Sequence, residues 1–163
     1  MEQKILKSKK APCLELAFIF DVDGVLADNT HRQGLLHQEG KTARQCWKEF
    51  FLAGDNDPAY PDTLHLAKAL QTYGFKILLL TGRSGEYFTQ LENWLMALEF
   101  LPDEIYMRSR TDFRKDWEIK EEAYLKLIAP RYKVLGVFED NTACVKMWRG
   151  RGITCYQPRE ENY

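Results

Sequence analysis

Five short runs of apolar, partly β-branched residues punctuate the chain: Leu14–Phe20, Ile77–Leu80, Glu104–Met107, Lys133–Phe138 and Ile153–Tyr156. Runs of this length and character predict strands. Between them the spacing changes to a helical period. Leu64, Ala67, Leu70 and Tyr73 fall on one face after Pro61 and Asp62, with Gly74 as a stop. Tyr87, Phe88, Leu91, Trp94, Leu95 and Leu98 repeat the pattern before Pro102, as do Trp117, Tyr124, Leu127 and Ile128 before Pro130. The aromatic residues on these faces are expected in the core. Strands alternating with amphipathic helices predict an α/β fold, a doubly wound parallel sheet covered on both faces, which accounts for the unbroken apolar character of Leu78–Leu80 and Val134–Phe138. Residues 25–60 do not fit one crossover. Helical patches at Arg32–Gln38 and Arg44–Leu52 predict a small helical cap inserted after the first strand, with 1–12 as a basic tail.

Composition narrows the class. A length of 163 residues suits a single domain able to bury roughly two thirds of its extended surface. The net charge of −1 gives no global bias toward nucleic acid or membrane, so any basic surface is local. Cys13, Cys46, Cys144 and Cys155 form no C-x-x-C pair, which excludes a zinc ribbon or thioredoxin motif and leaves buried reduced thiols. No apolar stretch approaches the ~20 residues that span a bilayer, and the lysine-rich start is followed by an apolar run that Glu15 interrupts. A cytoplasmic location with no membrane partner is expected.

Chemistry collects at the ends of the strands, where sheets of this class bind ligands. The first strand runs into Asp21-Val22-Asp23-Gly24, two carboxylates one residue apart before a glycine that permits a sharp turn. Two acids on one side repel unless a cation lies between them, and a hard divalent ion shared with a phosphate is the usual magnesium arrangement. The second strand ends in Thr81-Gly82-Arg83-Ser84, a hydroxyl and a guanidinium suited to phosphate oxygens. The fourth ends in the acidic pair Glu139-Asp140. Between them, Asp116 and Lys120 share a helical face. Singly, each piece has a bland reading as turn, cap or solvated ion pair. Together they supply the positioning and charge neutralisation on which phosphoryl transfer depends. The segment Gly34 to Thr42 is no nucleotide triphosphate loop, with five residues between its glycines instead of four and no strand before it.

These motifs, in this order, resemble the four signatures of haloacid dehalogenase phosphatases over roughly residues 16 to 157. The stretch Arg114-Lys115-Asp116-Trp117-Glu118-Ile119-Lys120, with Glu139-Asp140-Asn141 and Met147-Trp148-Arg149, is similar to the 3′-phosphatase domain of phage-type polynucleotide kinase-phosphatases. The resemblance implies Asp21 as nucleophile and Asp23 as the acid that protonates the leaving oxygen and then the base that activates water. It implies Thr81 and Lys120 on the phosphoryl oxygens, with Lys115 as the fallback lysine. Mg2+ would be held by the Asp21 carboxylate, the Asp23 carbonyl and Asp140, with Glu139 beside it where an aspartate is more usual. An acid at Asp23 also argues against dehalogenation, since a halide leaves without a proton. His31 and Arg32 in the cap, with Gly82, Arg83, Arg110 and Arg114, are candidate substrate contacts, and Arg108 lies near the same end of the sheet. The expected partner is a phosphorylated nucleic acid end or a nucleotide. The rival readings are a 5′-nucleotidase or general small-phosphoester phosphatase, and a catalytically silent nucleic-acid-binding module.

Overall fold

The structure, a computed structural model, describes residues 14–160. The expected basic tail and Cys13 lie outside them. Five strands form one parallel sheet: β1 (Glu15–Phe20), β2 (Lys76–Ser84), β3 (Glu104–Arg108), β4 (Tyr132–Phe138) and β5 (Cys155–Tyr156), in the order β3-β2-β1-β4-β5. The helices α1 (Ala43–Leu52), α2 (Pro61–Thr72), α3 (Phe88–Ala97), α4 (Asp116–Ala123) and α5 (Thr142–Gly150) connect them. A π-helical turn, Tyr124–Ile128, extends α4. Among the described residues no helix is long and apolar enough to cross a membrane.

The two faces of the sheet are buried by alternate residues of the same strands. Phe20, Ile77 and Leu79 enter one core with Leu91, Trp94 and Leu95. Ala17, Ile19, Leu78 and Leu80 enter the other with Val137 and Trp148. Three helix residues expected inside, Tyr73, Phe88 and Leu127, are exposed. Each lies at or near an end of its helix, where the chain has already turned away from the sheet.

Between β1 and α2, where a cap is expected, the chain forms α1 flanked by 3-10 turns at Thr30–Leu36 and Ala53–Asn56. Thr42 begins α1 with a capping box, taking the Gln45 N–H while the Gln45 side chain takes the N–H of Thr42. Val25, Leu26 and Ala27, placed within the cap by sequence, are fully buried in the first core instead, and Ala27 bridges to Ala59 at the base of the insertion.

Because β1 is flanked by β2 on one side and β4 on the other, the strand order reverses across the β1/β4 crevice, the point where sheets of this type open a binding site. Phe20, Phe138 and Tyr156 stack across three neighbouring strand ends at 4.3 and 4.9 Å, and Phe20 and Phe138 immediately precede Asp21 and Glu139 in the chain.

Candidate active site

A cleft of about 570 Å3 opens at the carboxyl ends of the strands, with Asp21, Asp23, Thr81 and Asp116 in its lining. Asp21 follows β1 immediately and is held there by its N–H, which donates to the Phe138 carbonyl at 3.0 Å. Lys120 reaches it from α4, its Nζ standing 3.2 Å from Asp21 Oδ2, 2.9 Å from Asp116 Oδ2 and 2.8 Å from Glu139 Oε2. One buried ammonium therefore serves three carboxylates. Burial alone would lower the Lys120 pKa, but the charges of Asp116, Asp21 and Glu139 outweigh it and hold the group well above its ordinary value. Lys115, one residue ahead of α4, is exposed, and its backbone N–H donates to Glu118 at 3.0 Å.

The acidic side of the cleft carries more charge than Lys120 can balance. Burial, reinforced by neighbouring carboxylates, raises Asp21 well above the usual range even against Lys120. Burial and the Asp21 charge push Asp140 up to about 8, and burial raises Glu139 to about 7. Among the described residues, the buried Asp21 Oδ1 and Asp140 Oδ1 have no hydrogen-bond partner. Oxygens of Asp21, Glu139 and Asp140 all lie within 4.8 Å of one another. All-oxygen, over-acidic and with Asp21 Oδ1 and Asp140 Oδ1 unpartnered, this cluster has the donor set of a hard divalent cation. Glu139 is already committed on both oxygens, to Lys120 and to the Asn141 N–H at 3.2 Å, so Asp21 and Asp140 offer the open positions. Gly24 makes the approach feasible. It has a φ of 76°, and a Cβ there would meet Asp140 Oδ2 at 2.1 Å. Gly82 likewise makes room for Asp116, since a Cβ there would lie 2.4 Å from Asp116 Oδ1.

Asp23 shares the cleft with Asp21 but not its partners. Arg83 holds it through two bonds of 2.8 Å, Nε to Oδ2 and Nη2 to Oδ1, and Arg32 Nη2 donates to Oδ1 as well. Both arginines are only 1% exposed. Asp57 closes the network from the insertion, accepting from Arg32 at 2.8 and 2.5 Å, from Arg83 at 3.1 Å, and contacting His31 Nε2 at 2.9 Å. Arg32 also donates to the Phe50 carbonyl and lies 3.9 Å over the Phe50 ring, tying α1 to the same point. Burial would raise Asp23, but the Arg83 and Arg32 guanidiniums prevail and hold it at about 2. Asp23 therefore rests ionised, whereas the sequence leads one to expect a proton on it for the leaving oxygen.

Of the expected substrate contacts, Arg32, Arg83 and His31 are thus spent on Asp23 and Asp57, and Gly82 lies against Asp116. Arg110 and Arg114 line the cleft, near Glu86 at 3.9 Å and between Asp112 and Glu122 at 2.5 and 2.6 Å. Arg108 reaches Asp116 at 3.1 Å. Asp57 had no sequence signal, lying in the Asp55-Asn56-Asp57-Pro58 segment, which reads as an ordinary polar turn. Cys144, whose Sγ donates to Asp116 Oδ2 at 3.4 Å, carried none beyond burial.

The family model for the polynucleotide kinase PNKP phosphatase domain matches residues 15–163. Two similar solved chains come from structures of the Pnkp1/Rnl/Hen1 complex, one of them described as an RNA repair complex. They are 26% and 27% identical with TM-scores of 0.77, and all of this chain covers 48% and 52% of theirs. The protein described here thus spans about half the length of those chains. The class C acid phosphatase of Bacillus anthracis with tungstate bound has the same fold, at 14% identity over 78% of this chain and 52% of that one, with a TM-score of 0.61. With the acid-lined cleft at the strand ends, these matches make the chain a phosphatase that belongs to the PNKP phosphatase-domain family of the haloacid dehalogenase superfamily.

Proposed function

We propose that this protein is a magnesium-dependent phosphomonoesterase that removes the 3′-phosphate from a nucleic acid end through an aspartyl-phosphate on Asp21. The observation that carries the reading is the setting of Asp21, buried at the cleft floor with Oδ1 unpartnered and Oδ2 3.2 Å from Lys120. A carboxylate so placed can attack phosphorus while Lys120 and the Thr81 hydroxyl take the charge that moves onto the phosphoryl oxygens. Asp21, Asp140 and the Asp23 carbonyl would hold the cation, with Glu139 fixing Lys120 beside them. When bound, Mg2+ supplies neutralisation of the crowded negative charge.

Asp23, kept ionised by Arg83 and Arg32, is in the form that takes a proton from the water that hydrolyses the acyl-phosphate. For the first half-reaction the incoming phosphoryl dianion raises its basicity, because a like charge nearby favours the protonated form. The nucleic acid assignment is supported by the arginines lining the cleft and by the RNA repair complex to which the similar chains belong. The test is phosphate release from 3′-phosphorylated oligonucleotides, 3′- and 5′-mononucleotides and sugar phosphates, with Mg2+ and with chelator. The oligonucleotide is expected to have the highest kcat/KM, with activity lost on chelation and restored by Mg2+. Mononucleotides cleaved as well or better would replace the assignment with a nucleotidase.

A further inference from the structure

Strand β5 contributes only two residues to the sheet, yet the chain beyond it is fastened at two further points. The first is at the acidic cluster. The Gln157 side-chain N–H donates to the Asp140 carbonyl at 2.8 Å, while the N–H of the same peptide unit, that of Asn141, donates to Glu139 Oε1 at 3.2 Å. The peptide that follows Asp140 is therefore gripped by both of its polar groups, and the Asp140 carboxylate lies against Gly24. The second fastening is at the base of the insertion. Arg159 Nη2 reaches both carboxylate oxygens of Asp62 in α2, at 2.6 and 2.7 Å, and the guanidinium carbon lies 3.5 Å from the centroid of the Tyr60 ring. Tyr60 is itself held, its hydroxyl donating to Asp28 Oδ1 at 3.1 Å and its N–H to the Leu26 carbonyl at 2.8 Å.

Pro158 joins the two fastenings. A proline fixes its own φ and narrows the conformations of the residue before it, so the hold on Arg159 limits where Gln157 can go. We propose that Gln157 and Arg159 are positioning residues, and that the segment after β5 is a strap that holds the Asp140 carboxylate in place for the divalent cation and so sets the affinity of the site. Groups that orient a metal ligand from outside typically change affinity by about 10–100-fold when removed. This rests on the magnesium reading above.

The experiment measures cation affinity by two independent readouts: the Mg2+ dependence of the Tm without substrate, and the Mg2+ concentration giving half-maximal hydrolysis of p-nitrophenyl phosphate, a general phosphoester. Wild type is compared with Gln157→Met, Arg159→Met, the double variant and Asp62→Asn, which loosens Arg159 from the exposed side of its ion pair. Gln157→Met and Arg159→Met are each expected to raise the half-saturating Mg2+ concentration about tenfold by both readouts, with excess Mg2+ recovering most of the lost rate. Because both act through one strap, the double variant should be about as weak as the worse single variant, short of the roughly hundredfold that independent effects would give. Asp62→Asn should shift the site in the same direction by less, and it decides the matter if the other variants fail to fold. Half-saturation within about twofold of wild type in the folded variants overturns the inference, as do additive effects or a rate loss that excess Mg2+ leaves in place. If Mg2+ leaves the wild-type Tm unmoved and chelator leaves its activity intact, the magnesium reading itself falls and this inference with it.

Discussion

Replacing Lys120 with methionine tests the charge arrangement most directly, because the stem is kept while the one ammonium shared by Asp21, Asp116 and Glu139 is lost. Leaving a buried charge without its partner typically costs about 3–5 kcal/mol. In a domain of this size each kcal/mol lowers the Tm by about 2–4 °C, so a fall of roughly 6–20 °C is expected at neutral pH. Loss of charge stabilisation on the phosphoryl group in a dry site is worth about 3 kcal/mol, which predicts at least a hundredfold drop in kcat/KM. The sign with pH follows from the carboxylates. Wild-type Lys120, with its pKa raised, stays charged throughout pH 6 to 8. In Lys120→Met, acidification protonates the orphaned acids and relieves their repulsion, so the Tm gap to wild type should narrow between pH 8 and pH 6. Thermal melts in chelator and phosphate-release kinetics measure the two effects, with exposed Lys115→Ala as the control of small effect. A Lys120→Met protein within threefold of wild-type activity and within 2 °C of its Tm would refute the reasoning.

Asp21→Asn should abolish turnover while leaving Tm unchanged or higher, since an amide matches the carboxylate in size but forms no acyl-phosphate. Near wild-type phosphate release from a folded variant would sink the nucleophile assignment. Gly24→Ala should weaken Mg2+ activation by at least tenfold, because its Cβ strikes the Asp140 carboxylate and the φ of 76° disfavours any side chain; an unchanged Mg2+ titration would contradict the packing. Without metal, Asp140 and Glu139 titrate at about 8 and about 7 against ordinary values of 3.8 and 4.5. Their folded pKa values are raised, so the stability they allow is full at low pH and is lost as pH rises toward 8. The Mg2+-induced gain in Tm should therefore be larger at pH 8 than at pH 5, and differential scanning that found the reverse would rule out the proposed cation site.

The sheet was legible because strands buried on both faces read as continuous apolar runs, and the motif order Asp21, Thr81, Lys120, Asp140 was legible because each residue falls at a strand end or on a helix with clear spacing. Asp116 and Lys120 could be paired by sequence alone, being one helical turn apart. The environment of Asp23 could not. Its partners Arg32 and Arg83 lie 9 and 60 residues away, and Asp57 lies 25 residues from Arg32. Nothing in a sequence marks an arginine as fully buried, and the average arginine is solvated, so both were expected to face substrate.

The position of β1 also governs when the catalytic centre can exist. This strand is central, yet its two neighbours are separated from it very differently along the chain: Phe20 pairs with Leu79 on one side and with Phe138 on the other. On the ribosome, the strand that leads into Asp21 emerges early and keeps one unpaired edge until nearly the whole of the described chain has been made. Such an edge is a template for pairing with another chain. The acidic cluster needs Asp140 from just beyond that last partner, so chains stalled or cleaved before β4 carry Asp21 without a centre to act in, and they are the species most exposed to aggregation and to capture by chaperones.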